Sequence, residues 1–416
     1  MKIILAHYKY YIQGGPERYM FKFTELAEKH GAKVIPFSVD YPENEQTPYS
    51  KYFVKPTAAK AEFGKGKLSI GKIVKDLHYQ YHNREAYKNL KRLIQDERPD
   101  LLYCLIPGML SADIFKAAHE ERVPVIIRIS DYRLLCGNNV LLRDGEICEE
   151  CIHGKYSRMV KHKCVRNSYL LSIIRALELT FQRKRGTYKF IDAVITPPEF
   201  TRNKFIESGY FPADKMFVNP TFVEVKATED KTGEEKYALC LGRYSAEKGF
   251  YYAFEAMQYL LETDVSLYVT SDRENCDDKA ISFLNDHPDI DSRVKFVGFL
   301  HGKGLDDITQ KAMCVLCPSL VYDNMPNVVL EAYSFGRPVV ATDLGPLSEI
   351  VEDGKTGILC HRKDGKSIAN GILQLYQNPE YCTELGQNAR KKCETDFSPE
   401  AHWKKFIEIY NGIKQA

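Results

Sequence analysis

No run of apolar residues in this 416-residue chain approaches the roughly 18 that a membrane-crossing helix needs. The first apolar stretch, IILA, is far shorter than the core of a secretory signal, so a cytoplasmic protein is expected. Low-complexity tracts and short internal repeats are lacking too, which argues against disordered and solenoid architectures. There is no G-x-G-x-x-G dinucleotide fingerprint. The only D-x-D, Asp289 to Asp291, has no acids clustered around it and reads as a surface turn, not as a metal–diphosphate site.

The net charge of +2 is small but unevenly divided. Residues 1–220 hold 36 Lys and Arg against 25 Asp and Glu, a balance of +11, and the remainder hold 22 against 31, a balance of −9. A basic half beside an acidic half suggests that one domain faces a polyanion or an anionic membrane surface; no nucleic-acid partner is expected. The excess gathers in the stretch from Lys51 to Lys75 and in the segment from Arg158 to Lys189, which has nine basic residues and one acid, Glu178.

Apolar strand-like runs alternate with helical sequence along both halves. KIILA, KVIPFSV, DLLYCLI, VPVIIRI and DAVIT read as buried parallel strands, and a helix with Tyr19, Met20, Phe23, Leu26 and Ala27 on one face ends at Gly31. The charged segment EVKATEDKTGEEK reads as a linker, after which YALCLGR, SLYVTS, VKFVGF, CVLC, PVVAT and GILC repeat the pattern. The expected fold class is α/β: two doubly wound, Rossmann-like domains facing each other across a cleft. The first spans 1–222, with a cysteine-rich insertion at 136–164 and a C-terminal helix, 400–416, packing back on it; the second spans 223–399.

Strand-to-helix turns are where phosphate would bind. GRYSAEKG sets Arg243 and Lys248 after a strand, a bidentate fork and a point charge able to neutralise a diphosphate without a catalytic metal. QGGPERY sets Gly14 and Gly15 before a helix, where backbone can approach a phosphate or sugar closely. In YDNMPNVVLEAYSFGRPVV, Asp323 lies in a loop and Glu331 on the following helix, with Pro326 suited to the first helical position. At about 1.5 Å rise per residue the two carboxyl groups stand roughly 10 Å apart. That is wider than the roughly 5 to 9.5 Å of paired glycosidase carboxylates. Such a span suits a long ligand with an anionic middle and hydroxyl groups at both ends. A cap and a solvated helix residue are the plainer alternative.

Together GGPERY, SDYRLLC at 130–136, GRYSAEKG at 242–249 and PSLVYDNMPNVVLEAYSFGRPVVATDLGPLSEIVEDGKTGIL at 318–359 resemble the family 4 glycosyltransferases, which have the two-domain GT-B fold. The resemblance implies a retaining transferase acting from a nucleotide diphosphate sugar, UDP- or GDP-linked, and needing no divalent cation. Glu331 would hold the ribose hydroxyls and Asp323 the donor sugar. Asn324, Met325, Pro326 and Asn327 would offer backbone to sugar and phosphate, Arg243 and Lys248 would hold the diphosphate, and Gly15 would form the glycine turn. Two positions depart from the family: Asp323 is one methylene shorter than the usual Glu, and Ser130 stands where a histidine is usual. Ser130 and Asp131 remain candidates near the reacting carbon. The implied acceptor is a surface glycan, a polysaccharide, lipopolysaccharide or lipid-linked sugar. A non-catalytic carbohydrate-binding protein and a nucleotide-sugar epimerase are the rival functions.

Cys136, Cys148, Cys151 and Cys164 form C-x11-C-x2-C-x12-C. In a reducing compartment such a cluster suggests structural zinc, with an iron–sulfur cluster or four free thiols as alternatives. Just beyond it, SYLLSIIRALELTFQRKRG spaces Leu170, Ile173, Ile174, Leu177 and Phe181 helically before Arg183, Lys184 and Arg185. The periodicity predicts a core helix; docking on anionic lipid is the second reading.

Overall fold

The computed structural model describes residues 1–56, 82–227 and 235–415, so most of the lysine-rich stretch, the middle of the linker and Ala416 lie outside the described residues. The first sheet holds β1 (Lys2–His7), β2 (Lys33–Phe37), β3 (Leu101–Ile106) and β4 (Val125–Arg128). A two-stranded hairpin, β5 (Leu142–Arg143) and β6 (Glu146–Ile147), interrupts it before β7 (Ala193–Thr196) and β8 (Met216–Val218) complete it. Its order is β2-β1-β3-β4-β7-β8, all parallel. The second sheet holds β9 (Tyr237–Cys240), β10 (Ser266–Val269), β11 (Val294–Phe296), β12 (Cys314–Cys317), β13 (Val339–Thr342) and β14 (Gly357–Cys360). It runs β11-β10-β9-β12-β13-β14, again all parallel.

Both orders reverse once, between β1 and β3 and between β9 and β12. Ligands in such sheets bind outside the carboxyl ends of the strands at that reversal, because the loops diverge there and leave a crevice. The loops bearing Arg243 and Lys248, and Asp323 to Asn327, leave the two strands flanking the second reversal.

Helices cover both sheet faces, so the central strands are apolar throughout; every residue of β3 is buried. The first helix (Gly15–Lys29) buries Tyr19, Met20, Phe23, Leu26 and Ala27. The last helix (Pro399–Gln415) lays Phe406, Ile409 and Tyr410 into the same core cluster. Tyr19 Oη lies 2.9 Å from both Tyr103 Oη and His402 Nε2, which satisfies polar groups that would otherwise be buried without partners.

Three local expectations are corrected. Pro326 is extended and caps the helix Asn327–Ser334 instead of starting it. Asp289 to Asp291 lie in a short helix, Pro288–Asp291, and Asp291 is paired with Arg273. The helix Tyr169–Arg185 is not a core helix on its apolar stripe: Leu170 and Leu177 are 56% and 61% exposed, and Ser172, Ala176, Glu178 and Leu179 are the buried residues. Periodicity fixes which residues share a face, not which way the face points.

Candidate donor and acceptor cleft

Lys248 and Asp323 meet at the second reversal. Lys248 Nζ donates to Asp323 Oδ1 at 2.6 Å, and the other carboxylate oxygen, Oδ2, is buried without a hydrogen-bond partner. Burial works against the Lys248 charge, but Asp323, together with Cys317 and Glu247, more than offsets it and holds the ammonium above its usual value. The turn that delivers Lys248 requires glycine next: Gly249 has φ +69°, and a Cβ there would lie 2.0 Å from the Pro318 carbonyl oxygen. Arg243 is exposed in the same loop.

Glu331 lines a separate small cavity of about 110 Å³ between the domains, with Gly15, Arg18, Lys22 and Asn327. Burial raises its carboxyl above the usual carboxylate range, while Lys22 and Arg18 pull the other way. Gly14 caps the first helix, its N–H donating to Glu17 Oε2 at 2.9 Å. Gly15 sits so close to the helix Asn327–Ser334 that a Cβ would come 3.4 Å from Asn327 Nδ2. The N-termini of both helices therefore converge on one cavity, an arrangement suited to anions. Met325 packs on the core beneath that helix.

Asn324 fastens the two domains. Its Nδ2 donates to the Ile129 carbonyl at 2.9 Å and its Oδ1 accepts from Thr201 Oγ1 at 2.7 Å. Those bonds bring the residues next to Asp323 and Ser130 into contact. Ser130 and Asp131 line a larger cavity of about 320 Å³ at the carboxyl ends of β3 and β4, with Tyr8, Arg133, Arg175 and Glu178. Asp131 is engaged by Arg133, which donates from Nε and Nη2 at 2.8 and 2.6 Å. Arg175 pairs with Glu178 at 2.6 Å and donates to the Arg133 carbonyl at 2.5 Å.

Arg18, Lys22, Arg133, Arg175 and Glu178 line the two cavities without being marked as site residues by the sequence. Only the i,i+4 spacing of Arg18 and Lys22 after the Gly-Gly turn hinted at a charged face on the cleft. His7, at the end of β1, was likewise unmarked in the sequence: it is buried beside Glu17, its Nε2 has no hydrogen-bond partner, and burial lowers its pKa to about 4, so that it is neutral at pH 7.

Cys136 and Cys151 are buried, and Cys148 and Cys164 are half-buried. Burial pushes the Cys151 thiol up to about 12, with Cys136 and Cys164 as the next contributors. The four sulfurs thus share one neighbourhood. Among the described residues, however, no group of three or more His, Cys, Asp or Glu side chains is arranged to hold a metal, and neither zinc nor an iron–sulfur cluster is assigned. Other contacts tie the insertion down. Cys151 packs with Tyr156, Met159, Ala176 and Leu179. The tip of the β5–β6 hairpin reaches the second domain, where Arg362 donates to the Gly145 carbonyl at 2.6 Å and pairs with Glu146 at 2.7 Å, and Lys363 also pairs with Glu146.

The class this architecture defines is the GT-B fold. It superposes over 99% of the chain, and 100% of the other, on the Anabaena protein HepE in complex with UDP, with a TM-score of 0.66 at 16% identity. Residues 235–378, the domain carrying Lys248, Asp323 and Glu331, match the family model described as "Glycosyl transferases group 1". An uncharacterized glycosyltransferase of Methanocaldococcus jannaschii is 29% identical over 180 residues, 42% of this chain and 45% of that protein. The amylovoran biosynthesis glycosyltransferase AmsK of Erwinia amylovora is 25% identical over 225 residues, 51% of this chain and 54% of that one. The chain thus spans about half the length of these curated relatives.

Proposed function

We propose that the protein is a retaining glycosyltransferase that moves a hexose or N-acetylhexosamine from a UDP- or GDP-linked donor to a surface-glycan or lipid-linked acceptor. The observation that carries this reading is the Lys248–Asp323 pair, with one carboxylate oxygen buried and unpartnered, one helix away from the cavity of Glu331. The donor's diphosphate draws Lys248 from Asp323 and shares it with Arg243. Asp323 is then free to accept from hydroxyls of the donor sugar, while Glu331 accepts from the ribose. UDP bound by the Anabaena structure and the amylovoran role of the Erwinia relative support a nucleotide donor and a glycan acceptor.

In the reaction the bond from the anomeric carbon to phosphate breaks and a bond to the acceptor oxygen forms on the same face. The acceptor hydroxyl's proton passes to the departing phosphate oxygen. The protein contributes positioning and charge: Lys248, Arg243 and the converging helix N-termini stabilise the developing diphosphate. Ser130 presents a hydroxyl at the acceptor cavity, and Asp131, held by Arg133, orients that arginine instead of acting as a base. The test is transfer from UDP- and GDP-sugars to a lipid-linked sugar extract, with the product's anomeric configuration read by NMR. A retained product fits the reading. An inverted product contradicts the mechanism, and no product with any donor contradicts the function.

A further inference from the structure

The helix Tyr169–Arg185 turns its apolar stripe outward. Tyr169, Leu170, Ile173, Leu177 and Phe181 are exposed at 56%, 56%, 42%, 61% and 39%, five of the eight exposed large apolar side chains among the described residues. They fall on one side of a helix about 25 Å long at 1.5 Å per residue. Basic residues bracket the stripe. Arg166 lies before it and Lys184 continues it one turn beyond Phe181, both exposed, and Lys163 sits 4.6 Å over the Tyr169 ring. The single acid of this segment, Glu178, points inward to Arg175.

The inward side of the same helix is mixed: Ala176 and Leu179 pack on Cys151, Tyr156 and Met159, while Arg175, Glu178 and Gln182 line the 320 Å³ cavity. Among the described residues no helix is long and apolar enough to cross a membrane, so the stripe can lie on a bilayer but not span it.

The geometry points to this helix as a docking surface for an anionic lipid bilayer, lying in the headgroup plane and holding the acceptor cavity next to it. Apolar side chains enter the acyl boundary while Arg166, Lys163 and Lys184 meet lipid phosphates, a match in charge that a neutral protein partner would not need. The role of the cavity in this inference rests on the proposed function; the docking itself does not.

The test is flotation of the full chain with vesicles of phosphatidylcholine alone and with about 30% phosphatidylglycerol, the anionic fraction supplying the surface potential that attracts basic segments. The parent should float with the anionic vesicles only and lose binding as salt rises. Leu170→Ser with Leu177→Ser, both exposed and thus harmless to folding, should lower partition at least about tenfold, the direction expected when buried apolar area is removed. Tyr259→Ser, an exposed aromatic in the other domain, should change nothing. Failure of the parent to float, equal recovery with neutral vesicles, or unaltered flotation of the double variant would each overturn the inference. So would a lipid-free dimer that the double variant dissolves, since the face would then be covered by a second copy. Donor hydrolysis without acceptor, measured on the same proteins, reads the donor cleft separately: its loss in the parent speaks against the transferase reading, not against docking.

Discussion

Lys248→Met separates what the Lys248–Asp323 pair does for stability from what it does for turnover. Methionine keeps much of the length and the apolar stem but removes the charge. In the free protein Asp323 then loses its 2.6 Å donor, leaving a carboxylate 13% exposed with no partner on either oxygen. Breaking a fully buried pair costs about 3–5 kcal/mol, but Lys248 is 39% exposed and water screens it, so about 1–2 kcal/mol is the expected loss. For a domain of this size that is roughly 2–8 °C in melting temperature, at about 2–4 °C per kcal/mol. Turnover should suffer far more, because the cation faces the charge that develops on the diphosphate: about 10²- to 10³-fold, as for other preorganised electrostatic groups. Differential scanning calorimetry and donor-hydrolysis rates give the two numbers on one preparation. Adding Asp323→Asn should recover part of the stability by neutralising the orphaned acid, and none of the turnover. A Lys248→Met protein that turns over within about threefold of the parent refutes the assignment, since a group worth less than about 1 kcal/mol is not stabilising a diphosphate.

Four further outcomes follow from the cleft and its turns. Glu331→Gln should weaken nucleoside diphosphate binding by about 1.5–3 kcal/mol in calorimetry, the worth of a charged hydrogen bond, with little change in melting temperature. Because burial raises the Glu331 carboxyl, binding that needs the carboxylate should weaken as pH falls, starting above the usual carboxylate range, and this dependence should vanish in Glu331→Gln. Gly249→Ala should cost at least about 3 kcal/mol, combining a left-handed backbone with a Cβ 2.0 Å from the Pro318 carbonyl oxygen; an unchanged denaturation midpoint would contradict the turn's geometry. Chelation by EDTA should leave donor turnover intact if Arg243 and Lys248 neutralise the diphosphate, and strict dependence on added magnesium or manganese would overturn that.

The strands were legible because a parallel sheet covered on both faces makes continuous apolar runs, as in LLYCLI and CVLC. The strand-to-helix turns carrying Arg243 and Lys248 were legible as turns because Gly and charged residues there interrupt the apolar runs on either side. The pairing of Lys248 with Asp323 was not, since 75 residues separate them and each was assigned to a different part of the ligand. The outward turn of Leu170 and Leu177 was equally hidden: a 3.6-residue period looks the same whether a core or a bilayer faces it. Cysteine spacing suggested a metal because C-x-x-C brings two sulfurs together, but the backbone between Cys136 and Cys164 decides the geometry. That backbone spends its contacts on the hairpin reaching Arg362.

The central claim is that Lys248, Asp323 and Glu331 grip one activated sugar, and its most direct measurement is release of nucleoside diphosphate from a panel of UDP- and GDP-sugars by the purified chain without acceptor. Slow hydrolysis of at least one donor, abolished by Lys248→Met and Arg243→Ala together, is the predicted result. Absence of release from every donor, with no calorimetric binding of UDP or GDP, would contradict the account.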